Sequence, residues 1–392
     1  NFYENKFQIN LNRVAFIFIT ICILIILYST RVIYLSSKTL KNYTNTVNKV
    51  NRADIIDRNG NFISKSVFTT NVGIDPKLIK NKKKFLLKLQ YTFPEKNFEE
   101  IKKKVYGQKF FYLEKKMIPE KFNKITLLGE KSIRLEKKIT RIYPDKNLFS
   151  HVIGQIDDDN NGISGIEKSF DKRLKDGRDK LMLTLDKNLQ FIIRNELLNA
   201  QKIFKNIGGA GILMNINTGE ILSLVSVPDF DLNSREQISD ISFINRATKG
   251  VYELGSVFKS FTIGAALDYS LISPKDMFLN LEKKMKCGGR IISEYDENLP
   301  KDLSVEDILV HSSNIGSVKI GQIIGQEKLR QFLEKIGILG KINFDIEEIG
   351  RPLPIKWRDC KLKTVSYGHG ITTTPIQLAK GYAILANGGY DV

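Results

Sequence analysis

The sequence predicts an α+β fold tethered by one apolar helix near its N-terminus, with a mixed and extended module between tether and fold. Three observations carry this. Eleven of the fifteen residues from Val14 to Tyr28 are Val, Ile, Leu or Phe. Two apolar strand patterns, Ala210–Ile216 and Glu220–Ser226, flank Asn217-Thr218-Gly219 as a hairpin, and helical runs follow with no βαβ repeat. That order places helices on an antiparallel sheet. Residues 37–180 lie between them and alternate extended with charged, helix-compatible stretches.

The anchor comes first. Val14–Tyr28 is extended by Val32–Leu35 past Arg31. At the usual gain per apolar residue, insertion is favoured by roughly 3 to 7 kcal/mol, and Arg31 is near enough to the end to snorkel. A transmembrane helix or uncleaved signal anchor fits better than a cleaved signal, since no small-x-small site follows. The flanking charges leave the orientation open. The 392 residues carry a formal net charge of +18, with lysines spread along the chain. That length suits two or three domains. Such a charge suggests nucleic acid, but no nucleic-acid module is recognisable. Attraction to anionic lipid or cell wall is the reading that agrees with the anchor. The chain opens on Asn1 and stops at Val392, just after the turn-like Asn387-Gly388-Gly389, and reads as a fragment.

In the mixed module, Arg52 to Asn61 is a strand running into an Asn-Gly turn. Asn81 to Lys104 has helical apolar spacing at Phe85, Leu86, Leu89, Ile101 and Val105, its lysines forming a solvated face. Asp157-Asp158-Asp159-Asn160-Asn161-Gly162 imitates the first half of a calcium loop. The twelfth position, which needs a bidentate glutamate, is Lys168, so a polar turn is expected instead.

From Leu181 the composition shifts. Asp186 is placed to cap a helix over 188–204, and the hairpin follows. Gly255-Ser256-Val257-Phe258-Lys259 then brings a serine to the start of an apolar helical run, with a lysine at i+3 on the same face. A serine hydroxyl needs a base to become a nucleophile. A lysine serves only when neutral, which from its ordinary pKa costs about 4 kcal/mol near pH 7 unless burial or cations shift it. Ser-x-x-Lys recurs at Ser169–Lys172, so spacing alone is weak. The second element is Ser312-Ser313-Asn314, between two helical runs. Cys287 and Cys360 can pair only if the fold brings them together, and Cys22 lies in the anchor. His151, His311 and His369 are too scattered for a metal cluster and are read as structural.

These motifs together resemble the class B penicillin-binding proteins, in particular the septal, FtsI-type peptidoglycan D,D-transpeptidases. Arg58-Asn59-Gly60, Arg141-x-Tyr143-Pro144 and Gly162-x-x-Gly165-Ile166-Glu167 resemble the family's non-catalytic pedestal. Thr218–Leu222, Asn245-Arg246-Ala247, Gly255-Ser256-x-x-Lys259 and Ser312-Ser313-Asn314 resemble its transpeptidase domain. Tyr367-Gly368-His369-Gly370-Ile371 with Thr374–Ala379 points to the septal branch. Leu254 stands where proline is usual. Ser313 stands where the related lactamases carry Asp. Lys363-Thr364-Val365 is not the family's Lys-Thr-Gly, which is expected on a strand beyond Val392.

The resemblance implies residues 1–36 as cytoplasmic tail and anchor, 37–180 as pedestal, and 181–392 as a C-terminally incomplete transpeptidase domain. It implies Ser256 as nucleophile, Lys259 as general base, Ser312 as proton relay, and Asn314 as the group that holds the substrate amide and positions Lys259. No cofactor and no metal are implied. The implied partners are D-Ala-D-Ala stem peptides, β-lactams, the cytoplasmic membrane, a septal glycosyltransferase and other division proteins, and no nucleic acid. The implied setting is the bacterial inner membrane at the division site, N-terminus cytoplasmic and bulk periplasmic. Two other readings are a penicillin-sensing receptor that is acylated without crosslinking and a catalytically silent division scaffold.

Overall fold

The structure is a computed structural model and describes residues 11–47, 52–117, 119–234 and 240–392. The tail of residues 1–10 lies outside them. The chain divides into two units, the second beginning at Arg52.

The described residues of the first unit form one helix, α1, Leu11–Val47. Its stretch Leu11–Leu35 is long and apolar enough to cross a membrane. Twenty-five residues at 1.5 Å rise span roughly 37 Å, against about 30 Å of bilayer hydrocarbon. The hydroxyls of Thr20 and Thr30 donate to the carbonyls of Phe16 and Leu27, so neither is left bare in an apolar setting.

The second unit begins with a five-stranded sheet. Its strands are β1 (Ile55–Ile56), β2 (Phe62–Ile74), β3 (Phe111–Met117), β4 (Ile133–Ile142) and β5 (Leu181–Met182). The long β2 pairs antiparallel with β1, β3 and β4, and β5 joins β1 in parallel. The Asn-Gly turn between β1 and β2 is held by Asp57, whose carboxylate accepts from the N–H groups of Asn59 and Asn61. Helices α2 (Lys82–Thr92) and α3 (Phe98–Tyr106) bury Phe85, Leu89, Ile101 and Val105 in a core shared with Val72 and Ile74 of β2. Asn81 and Asn97 cap these helices through their side chains, as the spacing requires.

A buried charge cluster ties this region together. Glu167 is fully buried and meets Arg52 Nε at 2.5 Å and Arg141 Nε at 2.8 Å. Arg52 also reaches Asp171 at 2.7 Å, and the Tyr143 hydroxyl donates to Glu167. The Arg141 and Glu167 motifs thus meet in one knot. Arg58 stays at the surface near Glu220, and Arg52 takes the buried role that sequence inspection did not give it. The Asp157 turn closes on itself, its carboxylate accepting from the Asp159 and Asn161 N–H groups.

In the remaining half, Asp186 caps α4 (Lys187–Phe204) by accepting from Asn188 and Leu189 N–H. This helix packs on the antiparallel hairpin of β6 (Gly209–Met214) and β7 (Ile221–Val227). Gln190, buried on α4, donates to the Leu224 carbonyl and accepts from the Leu224 N–H. Helices α5 (Lys259–Asp268), α6 (Val305–Val310) and α7 (Asn314–Ile324) then gather around Phe258, Phe261, Ile308, Ile315 and Val318, all fully buried. Between α5 and α6 lies a second hairpin, β8 (Lys284–Cys287) and β9 (Arg290–Ser293). Cys287 and Cys360 form a disulfide with a Cα separation of 5.2 Å, within the range a bridge requires.

Candidate active site

The expected α-helical start at Ser256 is a tighter turn. Gly255–Phe258 is a 3₁₀ turn and α5 begins at Lys259. In a 3₁₀ turn, side chains at i and i+3 eclipse, which sets Ser256 and Lys259 one above the other. Gly255 has φ +59°, a conformation glycine adopts without strain. Its N–H donates to the Gly368 carbonyl at 3.0 Å, so the Tyr367–Gly370 stretch lies directly against the turn that carries Ser256.

Lys259 is buried, 1% exposed. Its Nζ lies 3.3 Å from Ser256 Oγ and 2.9 Å from Ser312 Oγ, and donates to the Ser312 carbonyl. Burial pushes its pKa down from 10.5 to about 8, against the pull of the Glu294 carboxylate, which favours the ammonium. Neutrality at pH 7 then costs about 1.4 kcal/mol.

Ser312 is delivered by the end of α6. The N–H of Ser312 donates to the Leu309 carbonyl and the N–H of Ser313 to the Ile308 carbonyl, the two bonds of a Schellman cap. That cap puts Ser312 at φ +56°, where glycine is usual. A non-glycine residue pays about 1 to 2 kcal/mol for that conformation. Here the strain aims Ser312 Oγ at Lys259.

Ser313 caps α7, its hydroxyl oxygen accepting from the Gly316 N–H at 2.9 Å. Asn314 opens α7 and donates its side-chain amide to the Ser293 carbonyl at 2.9 Å. Sequence reasoning gave Asn314 the positioning of Lys259. In the structure the hydrogen bonds described for Lys259 go to Ser256 and Ser312.

A cleft of about 340 Å³ opens over these residues, bordered by Ser256, Ser312, Asn314, His311, Tyr367 and His369 among others. The structural assignment of all three histidines holds for His151, which is buried with Nε2 2.7 Å from the Ser242 carbonyl. His311 and His369 instead face the cleft. His311 directly precedes the Ser312-Ser313-Asn314 motif and His369 lies inside the Tyr367–Ile371 motif, but spacing does not show that either faces a cleft. The His369 ring lies parallel to Tyr367, and its Nδ1 is 3.5 Å from Glu253. Lys363-Thr364-Val365 belongs to the helix Asp359–Val365. Among the described residues no cluster of His, Cys, Asp or Glu could hold a metal.

Glu294 had no sequence signal at all. Its carboxylate sits on the first turn of α7, accepting from the N–H groups of Asn314 at 2.7 Å and Ile315 at 2.9 Å and from the Ser313 hydroxyl at 2.6 Å.

A serine paired through a buried, easily neutralised lysine to a second serine is the equipment of an active-site-serine acyl-transfer domain. The comparisons with known proteins agree. Residues 209–392 match the penicillin-binding protein transpeptidase domain, and residues 47–201 the penicillin-binding protein dimerisation domain. The probable peptidoglycan D,D-transpeptidase FtsI of Caulobacter vibrioides is 29% identical over 343 residues, 86% of this chain and 58% of that protein. The peptidoglycan D,D-transpeptidase FtsI of Escherichia coli K12 is 28% identical over 72% of this chain and 52% of its own length. The stage V sporulation protein D of Bacillus subtilis is 28% identical over 86% and 58%. This chain thus spans just over half the length of these three relatives. A peptidoglycan synthetase of Bifidobacterium adolescentis shares the fold, with a TM-score of 0.63, 20% identity, and coverage of 86% of this chain and 72% of that one. The chain has the dimerisation and transpeptidase domains of the penicillin-binding proteins and is similar to the FtsI-type members. With one N-terminal helix among the described residues that is long and apolar enough to cross a membrane, it has the form of a single-pass membrane protein.

Proposed function

We propose that this protein is a serine D,D-transpeptidase that crosslinks peptidoglycan stem peptides during septum synthesis and is acylated by β-lactams. The observation that carries the reading is the placement of Lys259 Nζ between Ser256 Oγ and Ser312 Oγ, at 3.3 and 2.9 Å.

Neutral Lys259 takes the Ser256 proton as Oγ attacks the carbonyl of the penultimate D-alanine. The oxyanion forms beside the backbone N–H of Ser256, in a turn whose first N–H groups have no partner within the helix. One such donor contributes roughly 3 to 4 kcal/mol. The lysine's extra proton passes through Ser312 to the leaving amine, the C–N bond breaks, and D-alanine departs. The ester left on Ser256 is then attacked by an amine of a neighbouring stem. The new amide forms, the serine leaves with a proton, and the crosslink is complete. A β-lactam follows the first half of this path and stays as the acyl-enzyme. Asn314, at the cleft wall, would hold the substrate amide.

Residues 37–180 serve as pedestal and 181–392 as the acyl-transfer domain. The anchor leaves the N-terminus in the cytoplasm and the bulk in the periplasm at the division site, beside a septal glycosyltransferase. This follows from the substrate, which is extracytoplasmic.

The test is a crosslinking assay with full-length protein, nascent glycan strands bearing pentapeptide stems, and a glycosyltransferase. Crosslinked dimers with free D-alanine are expected. Acylation by penicillin without crosslinks would make the protein a receptor. No acylation at all would make it a scaffold.

A further inference from the structure

The second catalytic element depends on one unassigned carboxylate. The segment Ser312-Ser313-Asn314 is a strained link between α6 and α7, with Ser312 at φ +56°. Within the link, the two Schellman bonds and the Ser313 cap on Gly316 fix its ends. Glu294, at the end of β9, does so from outside, taking the two backbone N–H groups of Asn314 and Ile315 and the Ser313 hydroxyl on its two oxygens. An anion at a helix N-terminus is favoured both by these unpaired donors and by the helix dipole. Asn314 closes the joint from the other side through the Ser293 carbonyl. The hairpin carrying Glu294 is in turn tied by Cys287 to Cys360.

We propose that Glu294 is a positioning residue: by capping the first turn of α7 it holds Ser312 against Lys259. This rests on the acyl-transfer reading above. Glu294 acts on Lys259 in a second way, as the anion that favours its ammonium form. The other titratable groups at the cleft are Tyr295, Asp296, His311, Tyr367 and His369, and they are left intact in the variants that follow.

Full-length wild type, Glu294→Gln and Glu294→Asp are compared in penicillin acylation rate from about pH 6 to about pH 10, with melting temperature measured in parallel. Glutamine places an amide NH₂ among three donors and removes the charge. Glu294→Gln is expected to lower the alkaline plateau about 10- to 100-fold, and to move the acid limb to lower pH because the lysine has lost the anion that kept it protonated. Glu294→Asp keeps the anion, so its limb stays near the wild-type position while its plateau falls less. A plateau at wild-type level in Glu294→Gln overturns the proposal. So does a limb that stays put while rate and melting temperature drop together, since that is a cap serving the fold alone. An unreactive wild type would overturn the transpeptidase reading instead, which keeps the two failures distinct.

Discussion

Gly368 lies so close to Gly255 that a Cβ built on it would stand 1.8 Å from the Gly255 carbonyl oxygen. Two stretches more than a hundred residues apart in sequence meet there with no room for a side chain. Gly368 also has φ +85°. The turn presenting Ser256 is therefore pressed into place from behind by the Tyr367–Gly370 segment.

Gly368→Ala should push that turn outward. Acylation by penicillin is expected to fall about 100-fold, the effect of a misplacement on the order of 1 Å. Stopped-flow acylation checks it, and a near wild-type rate would mean that the contact is loose.

Ser312→Gly separates stability from function. Glycine takes the positive φ freely and keeps both Schellman hydrogen bonds, relieving about 1 to 2 kcal/mol of strain. The melting temperature should hold or rise while acylation drops by about 100-fold or more, the usual worth of a positioned proton-transfer group. If melting temperature and acylation fall together, the strained serine is a structural element.

Glu167→Gln strands two arginines. Arg52 and Arg141 are both buried against this carboxylate, and removing one partner of a buried pair costs about 3 to 5 kcal/mol. Arg58→Ala, at an exposed pair of 3.8 Å, should cost less than about 1 kcal/mol. Denaturant unfolding of the two variants side by side tests the contrast, and similar losses would refute it.

The acylation rate should rise with pH. In the proposed mechanism the neutral amine of Lys259 is the active form, and burial brings its pKa down to about 8. Below that value the rate gains about tenfold per pH unit, and above it the curve levels. A curve flat between about pH 6 and about pH 9 would mean that another group takes the proton.

Local patterns were legible before the fold was known. The anchor, the Asn-Gly turn, the helices burying Phe85, Leu89, Ile101 and Val105, the Asp186 cap and the β6–β7 hairpin are all short-range, and their chemistry is written in residues a few positions apart. Ser256 and Lys259 belong with them, three residues apart on one turn. What escaped is long-range or depends on backbone sign. Glu294 caps a helix that starts twenty residues later, with α6 between them. Arg52 finds Glu167 across 115 residues. Ser312 owes its aim to a positive φ that no side-chain pattern encodes. That His311 and His369 share one opening was also long-range, since only the packing of the Gly255–Phe258 turn against the Tyr367–Gly370 stretch brings them together.

The most direct test of the account is the site of the acyl bond. Full-length protein is treated with penicillin, digested, and the adduct located by mass spectrometry, with Ser256→Ala and Lys259→Arg alongside. The account predicts a single adduct on Ser256, none in Ser256→Ala, and slow acylation in Lys259→Arg, because arginine keeps its charge and cannot accept the proton. An adduct on Ser312, or wild-type acylation by Lys259→Arg, would contradict it.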